Sequence, residues 1–139
     1  MAIMDARLEF ADSVSIAHAV GTTVHGNIID LGVANKDYGD GAPIYLHVRM
    51  NAAAAASAGS SSIAFNLQEA GSTTAASFAN KLTLKAASAF ANYVAGYKVY
   101  DGALPSVSYK RYLRLVSAVT LTPTTGGTVD AFISLDPRD

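Results

Sequence analysis

Three histidines are the side chains best suited to bind a metal ion, and they are widely spaced along the chain. His18, His25 and His47 lack the spacing that places two imidazoles on one face of a helix, and no HExxH motif or acidic cluster accompanies them. We therefore expect three surface histidines and no metal site.

A loop of Asn, Asp and Gly residues offers oxygen donors of the kind that calcium prefers. The loop is NKDYGDG, from Asn35 to Gly41. Gly39 stands where an EF-hand loop supplies an oxygen ligand, and Leu46 stands where it supplies a bidentate Glu. The composition therefore predicts a turn and not a calcium site.

The residues of covalent and acid–base catalysis occur without their usual partners. The serines stand in no GxSxG elbow, a GxxxxGK[ST] phosphate loop is absent, and the chain has no cysteine. Glu9 and Glu69 are the only glutamates, so a catalytic carboxylate pair would have to include aspartates from turns. We expect a protein that is not an enzyme and that uses no cofactor.

The chain is instead dominated by segments in which apolar and polar residues alternate. A period of two is typical of a β-strand with one buried face. Four such segments predict these inward rows: Ile44, Leu46, Val48 and Met50; Ile63, Phe65 and Leu67; Leu113, Leu115 and Val119; Val129, Ala131, Ile133 and Leu135. Shorter strands are predicted at Lys81–Lys85 and Tyr97–Tyr100.

The segments between these strands are predicted to be turns or short helices. The alanine-rich run Ala52–Ser62 is interpreted as a connection with one helical turn, because Gly59 and the serines interrupt it. A short helix is predicted at Ser88–Val94 and a turn at Thr122–Gly127. The whole pattern predicts an all-β fold, with residues 1–139 forming one antiparallel β-sandwich domain.

Charge and hydropathy narrow the range of partners. The chain has 10 Lys and Arg against 11 Asp and Glu, and their scattered positions form no basic stripe for nucleic acid. No apolar run approaches the ~20 residues that span a bilayer, so no membrane contact is expected. Charged residues make up 15% of the chain, which is low for a monomer whose whole surface faces water. We expect a partner to cover part of that surface.

Two segments are candidates for that contact. Residues 1–23 form an extended N-terminal arm, which either clamps a partner through Leu8 and Phe10 or is the first edge strand of the sandwich. Five tyrosines concentrate in one third of the chain, where they serve either an interface or the core and sheet surface: Tyr93, Tyr97, Tyr100, Tyr109 and Tyr112.

The order of several motifs resembles a known family. The motifs are NIIDLG, GAPIYLHVRM, AGSSSIAFNLQ, YKVYDGALP, RYLRL and GGTVDAFISLD. Over nearly its full length the chain resembles the Bbp16-like capsid cement, or decoration, proteins of tailed bacteriophages. The resemblance implies a jelly-roll-like sandwich that assembles as a small homo-oligomer and ties neighbouring capsomers together from outside the head.

That resemblance sets the expected partners and location. The major capsid protein is the expected partner, and a dimer is favoured over a trimer. The expected location is the outer surface of the virion capsid, after synthesis in the host cytoplasm. The alternatives are another structural head or tail subunit, and a carbohydrate- or receptor-binding sandwich in which Tyr97 or Tyr100 replaces the missing Trp.

Overall fold

β-Strands make up most of the regular structure in the computed structural model, which describes residues 9–30, 36–37, 45–57, 59, 61–104 and 108–134. The strands are β1 (Glu9–Ser15), β2 (Gly21–Asp30), β3 (Lys36–Asp37), β4 (Tyr45–Ala56), β5 (Ser62–Ala70), β6 (Ala79–Ala89), β7 (Lys98–Ala103), β8 (Ser108–Tyr109), β9 (Tyr112–Thr120) and β10 (Thr124–Ser134). Within these ranges, the helical segments are short 3₁₀ turns at Ala75–Ser77 and Phe90–Asn92. The prediction of an all-β fold is confirmed.

Most of the strands form two antiparallel four-stranded sheets. Sheet A has the order β1-β10-β4-β7 and sheet B has the order β2-β9-β5-β6, while β3 and β8 pair separately. The pairing is nested along the chain, since β1 pairs with β10, β2 with β9, β4 with β7 and β5 with β6. This order is that of a double-sheet jelly roll, in which a long antiparallel ribbon is rolled into a sandwich. The predicted antiparallel, jelly-roll-like β-sandwich is therefore confirmed.

The core lies between the two sheets and takes alternate residues from each strand. The described members of the four predicted rows are all buried: Leu46, Val48, Met50, Ile63, Phe65, Leu67, Leu113, Leu115, Val119, Val129, Ala131 and Ile133. Ile44 and Leu135 lie outside the described residues. Alternation in the sequence therefore identified the inward face correctly.

The alanine run departs from its prediction, because Ala52–Ala56 continue β4 as a strand. They pair with Thr124, Gly126 and Thr128 of β10. An alanine helix of two turns is marginal alone, whereas pairing with β10 supplies hydrogen bonds from a second strand. The helical turn predicted in this run is therefore wrong. The turn predicted at Thr122–Gly127 is shorter in the structure than in the prediction, because β10 already begins at Thr124.

The segment after β6 contains less helix than predicted. β6 extends to Ala89, which confirms the strand predicted at Lys81–Lys85. The first two residues of the predicted helix Ser88–Val94 therefore belong to a strand. One 3₁₀ turn, Phe90–Asn92, comes directly after β6. Ser88 and Ala89 are strand because they pair with β5, so strand pairing again overrides local helix propensity.

The described part of the N-terminal segment contains an edge strand. β1 lies at one end of sheet A and pairs with β10. Its register shifts twice and Ser13 has a φ of 52°, which indicates bulges that distort this edge. Residues 9–15 therefore form an edge strand of the sandwich, which is one of the two alternatives for the N-terminal arm. Residues 1–8, with Leu8, lie outside the described residues.

β1 and β2 come into close contact where Gly26 faces the backbone of Phe10. Gly26 has a φ of +74°, and a Cβ atom at this position would lie 1.7 Å from the carbonyl oxygen of Phe10. It also lies in the register shift between His25 and Ile29. The contact between these strands therefore requires a residue without a side chain.

Gly26→Ala should lower the free energy of unfolding by about 2–4 kcal/mol, because the methyl group must displace the Phe10 backbone and alanine is strained at this φ. Gly71→Ala is the matched control, since its added Cβ would meet nothing within 4 Å. We expect the control to change stability by less than about 0.5 kcal/mol in urea denaturation followed by circular dichroism. Equal stability of the two variants would contradict the close contact.

Candidate interaction surface

The outward side of sheet B is the candidate functional surface. Side chains alternate between the two sides of a strand, and directly opposed residues of antiparallel strands project to the same side of the sheet. The residues that alternate with the inward positions of β9, and the residues opposite them on the neighbouring strands, therefore project outward. The outward residues form rows: Thr22, Ala118 and Ala64; Val24, Val116, Asn66 and Thr83; Arg114, Gln68 and Asn80; Asp30, Tyr112 and Ala70. Val116 and Ala70 are fully buried within these rows, so a partner would contact the side chains around them. We call these rows the sheet B face.

The sheet B face carries little charge. The charged residues in its rows are Arg114 and, in the row at one end, Asp30. Asp30 is neutralised by Arg111, whose Nε and Nη2 atoms donate to the two carboxylate oxygens at 2.8 and 3.0 Å. Small and amide side chains fill most of the other positions. Depletion of Lys, Glu and Asp, with Arg and Tyr retained, is typical of the centre of a protein–protein interface.

The outward side of sheet A has the opposite character. Its rows contain Glu9, Phe132, His47 and Asp101, followed by Asp130, Arg49 and Lys98. Asp101 accepts a hydrogen bond from His47 Nδ1 at 2.7 Å and pairs with Lys98 Nζ at 3.0 Å. Burial acts to raise the pKa of Asp101, but the hydrogen bonds from Lys98 and His47 outweigh it and lower that pKa. Mixed and locally balanced charges suit a surface that faces water.

Arg114 is held in a defined position on the sheet B face. Its Nε donates to Oε1 of Gln68 at 2.8 Å, and Gln68 Nε2 donates to Oδ1 of Asn80 at 2.9 Å. The guanidinium carbon lies 4.0 Å from the ring centroid of Phe78. Phe78 is buried although it is not a member of the core cluster between the sheets. Side chains from β9, β5 and β6, together with the residue that precedes β6, therefore orient this arginine.

The edge of sheet B beside this surface is apolar. Val24 and Ile28 of β2 are each 38% exposed, and Val20, just before the strand, is 53% exposed. The only charged residue in β2 is Asp30 at its end. Edge strands that face water usually carry lysine or proline, so this edge is better suited to being covered by a partner.

The predicted interface residues are divided between the core and the surface. Phe10 and Tyr93 are buried in the core cluster, where the Tyr93 hydroxyl donates to the carbonyl oxygen of Ile63 at 2.6 Å. Tyr97 and Tyr100 are half-buried and pack against that cluster. Phe10, Tyr93 and Tyr109, which is also buried in that cluster, are therefore core residues in this fold, because a buried side chain cannot contact a partner in place. An interface role for Tyr97 and Tyr100 stays a prediction.

The sheet B face has no sequence motif, and Tyr112 is its one member in the predicted tyrosine set. The available signal was alternation, which points Arg114 away from Leu113 and Leu115 in RYLRLVSAV and points Gln68 away from Leu67 in SIAFNLQE. The position of Gln68 and Asn80 beside Arg114 could not be predicted, because local sequence does not specify the pairing of β5 with β9 and β6.

The strand order places the chain among double-sheet jelly rolls, and a comparison with protein families gives the particular group. The sequence model of the Bbp16 family, described by that name alone, matches residues 12–133. The match runs from within β1 to within β10 and so covers most of both sheets. The chain therefore belongs to the Bbp16 family, as the motif order indicated. A search of curated proteins finds no match.

Two of the three histidines are buried, so the prediction of surface histidines is wrong for them. His25 and His47 are each 2% exposed, and His18 is half-buried. His25 occupies an inward position of β2 opposite Leu115. His47 projects outward from sheet A but packs against Phe132, with the ring centroids 5.0 Å apart.

His18 and His25 share one hydroxyl group, that of Ser117 on β9. Nδ1 of His18 lies 2.6 Å from the carbonyl oxygen of Ala19, which can only accept, so Nδ1 carries the proton of the neutral ring. Nε2 of His18 lies 2.9 Å from Ser117 Oγ, and Nε2 of His25 lies 2.5 Å from the same oxygen. This network joins the β1–β2 region to β9.

The Ser117 network is structural in character. A nucleophilic serine must reach its substrate, whereas Ser117 is fully buried. In the part of the chain that the structure describes, no group of three or more His, Cys, Asp or Glu residues is placed to hold a metal ion. Across the same residues, no helix has the length and apolar character needed to cross a bilayer.

Acid should destabilise the fold through His25. Burial, followed by repulsion from His18, lowers the pKa of His25 to about 4 from the ordinary 6.5, against a smaller opposing effect of a hydrogen bond to the Ser15 backbone. The unfolded chain therefore takes up this proton first as the pH falls. We expect the free energy of unfolding to drop by about 3 kcal/mol between pH 7 and pH 4 from this group.

Urea denaturation of the wild-type protein and of His25→Gln at pH 7 and pH 4.5 measures that loss. Glutamine keeps a side-chain amide that can hydrogen-bond to Ser117 Oγ but does not titrate, so the variant should lose less stability on acidification. An identical loss in both proteins would assign the acid sensitivity to other groups.

Proposed function

We propose that this protein is a capsid cement, or decoration, protein of a tailed bacteriophage. It binds the outer surface of the assembled head and links neighbouring capsomers. The observation that carries the proposal is membership of the Bbp16 family over residues 12–133, together with the resemblance of the motif order to phage cement proteins. The expected partner is the major capsid protein.

The two sheet surfaces support a role in linkage. A cement protein needs a stiff body with one side that remains in water and another that lies against a partner. Sheet A presents balanced charges, among them Asp101 with Lys98. Sheet B presents small and amide side chains around Arg114, beside the apolar edge formed by Val24 and Ile28. We assign the sheet B face to the shell.

The stabilising effect of such a protein is a consequence of linkage. A site that spans two capsomers exists in the assembled shell and is incomplete in free subunits, so binding favours the assembled state. Each contact can be weak. Repetition over the lattice, with each oligomer attached at more than one point, converts weak contacts into a large gain in shell stability.

Shells of the parent phage, prepared with and without the protein, test this proposal. We expect undecorated shells to release their genome at a lower temperature, because they lose the binding free energy that favours assembly. Dye uptake on heating reports genome release, and re-addition of the purified protein should restore the higher temperature. Identical release temperatures, or a failure of the protein to bind the shells, would contradict the cement role.

The free protein is expected to be a symmetric homo-oligomer, with a dimer favoured over a trimer. The low content of charged residues, 15%, leaves apolar surface that a second copy can cover. A stable dimer would bury about 1,600 Å² in total. Light scattering at micromolar concentration should give a multiple of 14.4 kDa, and a value equal to the mass of one chain would contradict this prediction.

A further inference from the structure

Arg114 combines three properties that an anion receptor needs. Hydrogen bonding to Gln68 fixes Nε at 2.8 Å, and the Phe78 ring supports the guanidinium plane from a distance of 4.0 Å. Among the described residues, no carboxylate forms an ion pair with Arg114. Surrounding atoms partly desolvate the guanidinium and lower its pKa, with no acidic neighbour acting in the opposite direction.

The surroundings of Arg114 are neutral on the same surface. Its row continues with the amides of Gln68 and Asn80, and the neighbouring row contains Val116 and Asn66. The nearest arginine in the sequence, Arg111, is already paired with Asp30. Any protein that covers this surface would therefore bury an uncompensated cation unless it supplies a negative charge at Arg114.

We propose that Arg114 is a preorganised receptor for one carboxylate of a partner protein, an Asp or Glu side chain of the shell, with Phe78 and Gln68 as its positioning residues. The inference rests on the proposed function for the identity of the partner. Both Nη groups of the planar guanidinium can still donate hydrogen bonds, and these two donors match the two acceptor oxygens of a carboxylate.

A carboxylate fits this surface better than a polyanion. Nucleic acid is held by several cations spaced along a groove, whereas the rows of the sheet B face provide one unpaired cation. An acidic side chain supplies one charge and allows the flanking small residues to pack. Neutralising Arg114 in this way removes the free-energy cost of burying its charge when a partner covers the surface.

The first test compares Arg114→Gln with Arg49→Gln in binding to undecorated shells. Both variants remove one arginine charge, but Arg49 lies on the outward side of sheet A. We expect Arg114→Gln to weaken shell binding by about 30-fold or more and Arg49→Gln to change it by less than about threefold. Urea denaturation and light scattering on the free variants check that fold and oligomeric state are retained.

The outcomes separate the inference from the proposed function. If the wild-type protein does not bind shells, the cement role fails. If the wild-type protein binds and Arg114→Gln binds equally well, the cement role stands and the receptor is refuted. Loss of the oligomer in Arg114→Gln would place the carboxylate on a second copy of this chain, which also refutes a shell partner.

A second test identifies the carboxylate directly. Arg114→Lys keeps the charge and introduces an amine, which a zero-length carbodiimide can couple to a carboxylate in contact with it. In decorated shells, mass spectrometry should find this position joined to an Asp or Glu of the shell protein. A crosslink to another copy of this chain, or none above the level of Lys98 on the opposite side of the sandwich, would overturn the proposal.

Discussion

The register of β9 between β2 and β5 is the constraint on which both the core and the candidate surface depend. In this register Leu113 and Leu115 face the core, and Arg114 projects to the outward side of sheet B. Because side chains alternate along a strand, a slip of one residue would expose the leucines and bury the arginine. The energy of hydrophobic burial therefore fixes the position of Arg114 even though Arg114 contributes little to the core.

The nested pairing of strands extends this constraint over the whole chain. β10 pairs with β1, and β9 pairs with β2, so residues near one end of the sequence complete the sheets begun at the other. The Ser117 network joins the β1–β2 region to β9, and the close contact at Gly26 holds β1 of sheet A against β2 of sheet B. The N-terminal edge is thus tied to the core by backbone pairing, by a buried polar network and by steric fit.

The sequence predicted those parts of the structure that depend on local alternation. The rows around Val48, Phe65 and Val129 were identifiable because a half-buried strand has a period of two. The alanine run was misassigned because its conformation is decided by β10, which is about 70 residues away in the chain. His25 was misassigned for a similar reason, since its burial depends on a serine of β9. The sheet B face required cross-strand neighbours that local sequence does not specify.

A cryo-EM reconstruction of shells saturated with the protein tests the central claim most directly, namely that sheet B faces the capsid. The account predicts that the row containing Arg114, Gln68 and Asn80 lies against shell protein at the junction of two capsomers. It also predicts that the outward side of sheet A, with His47 and Asp101, faces solvent. A reconstruction in which sheet A contacts the shell and Arg114 faces solvent would contradict it.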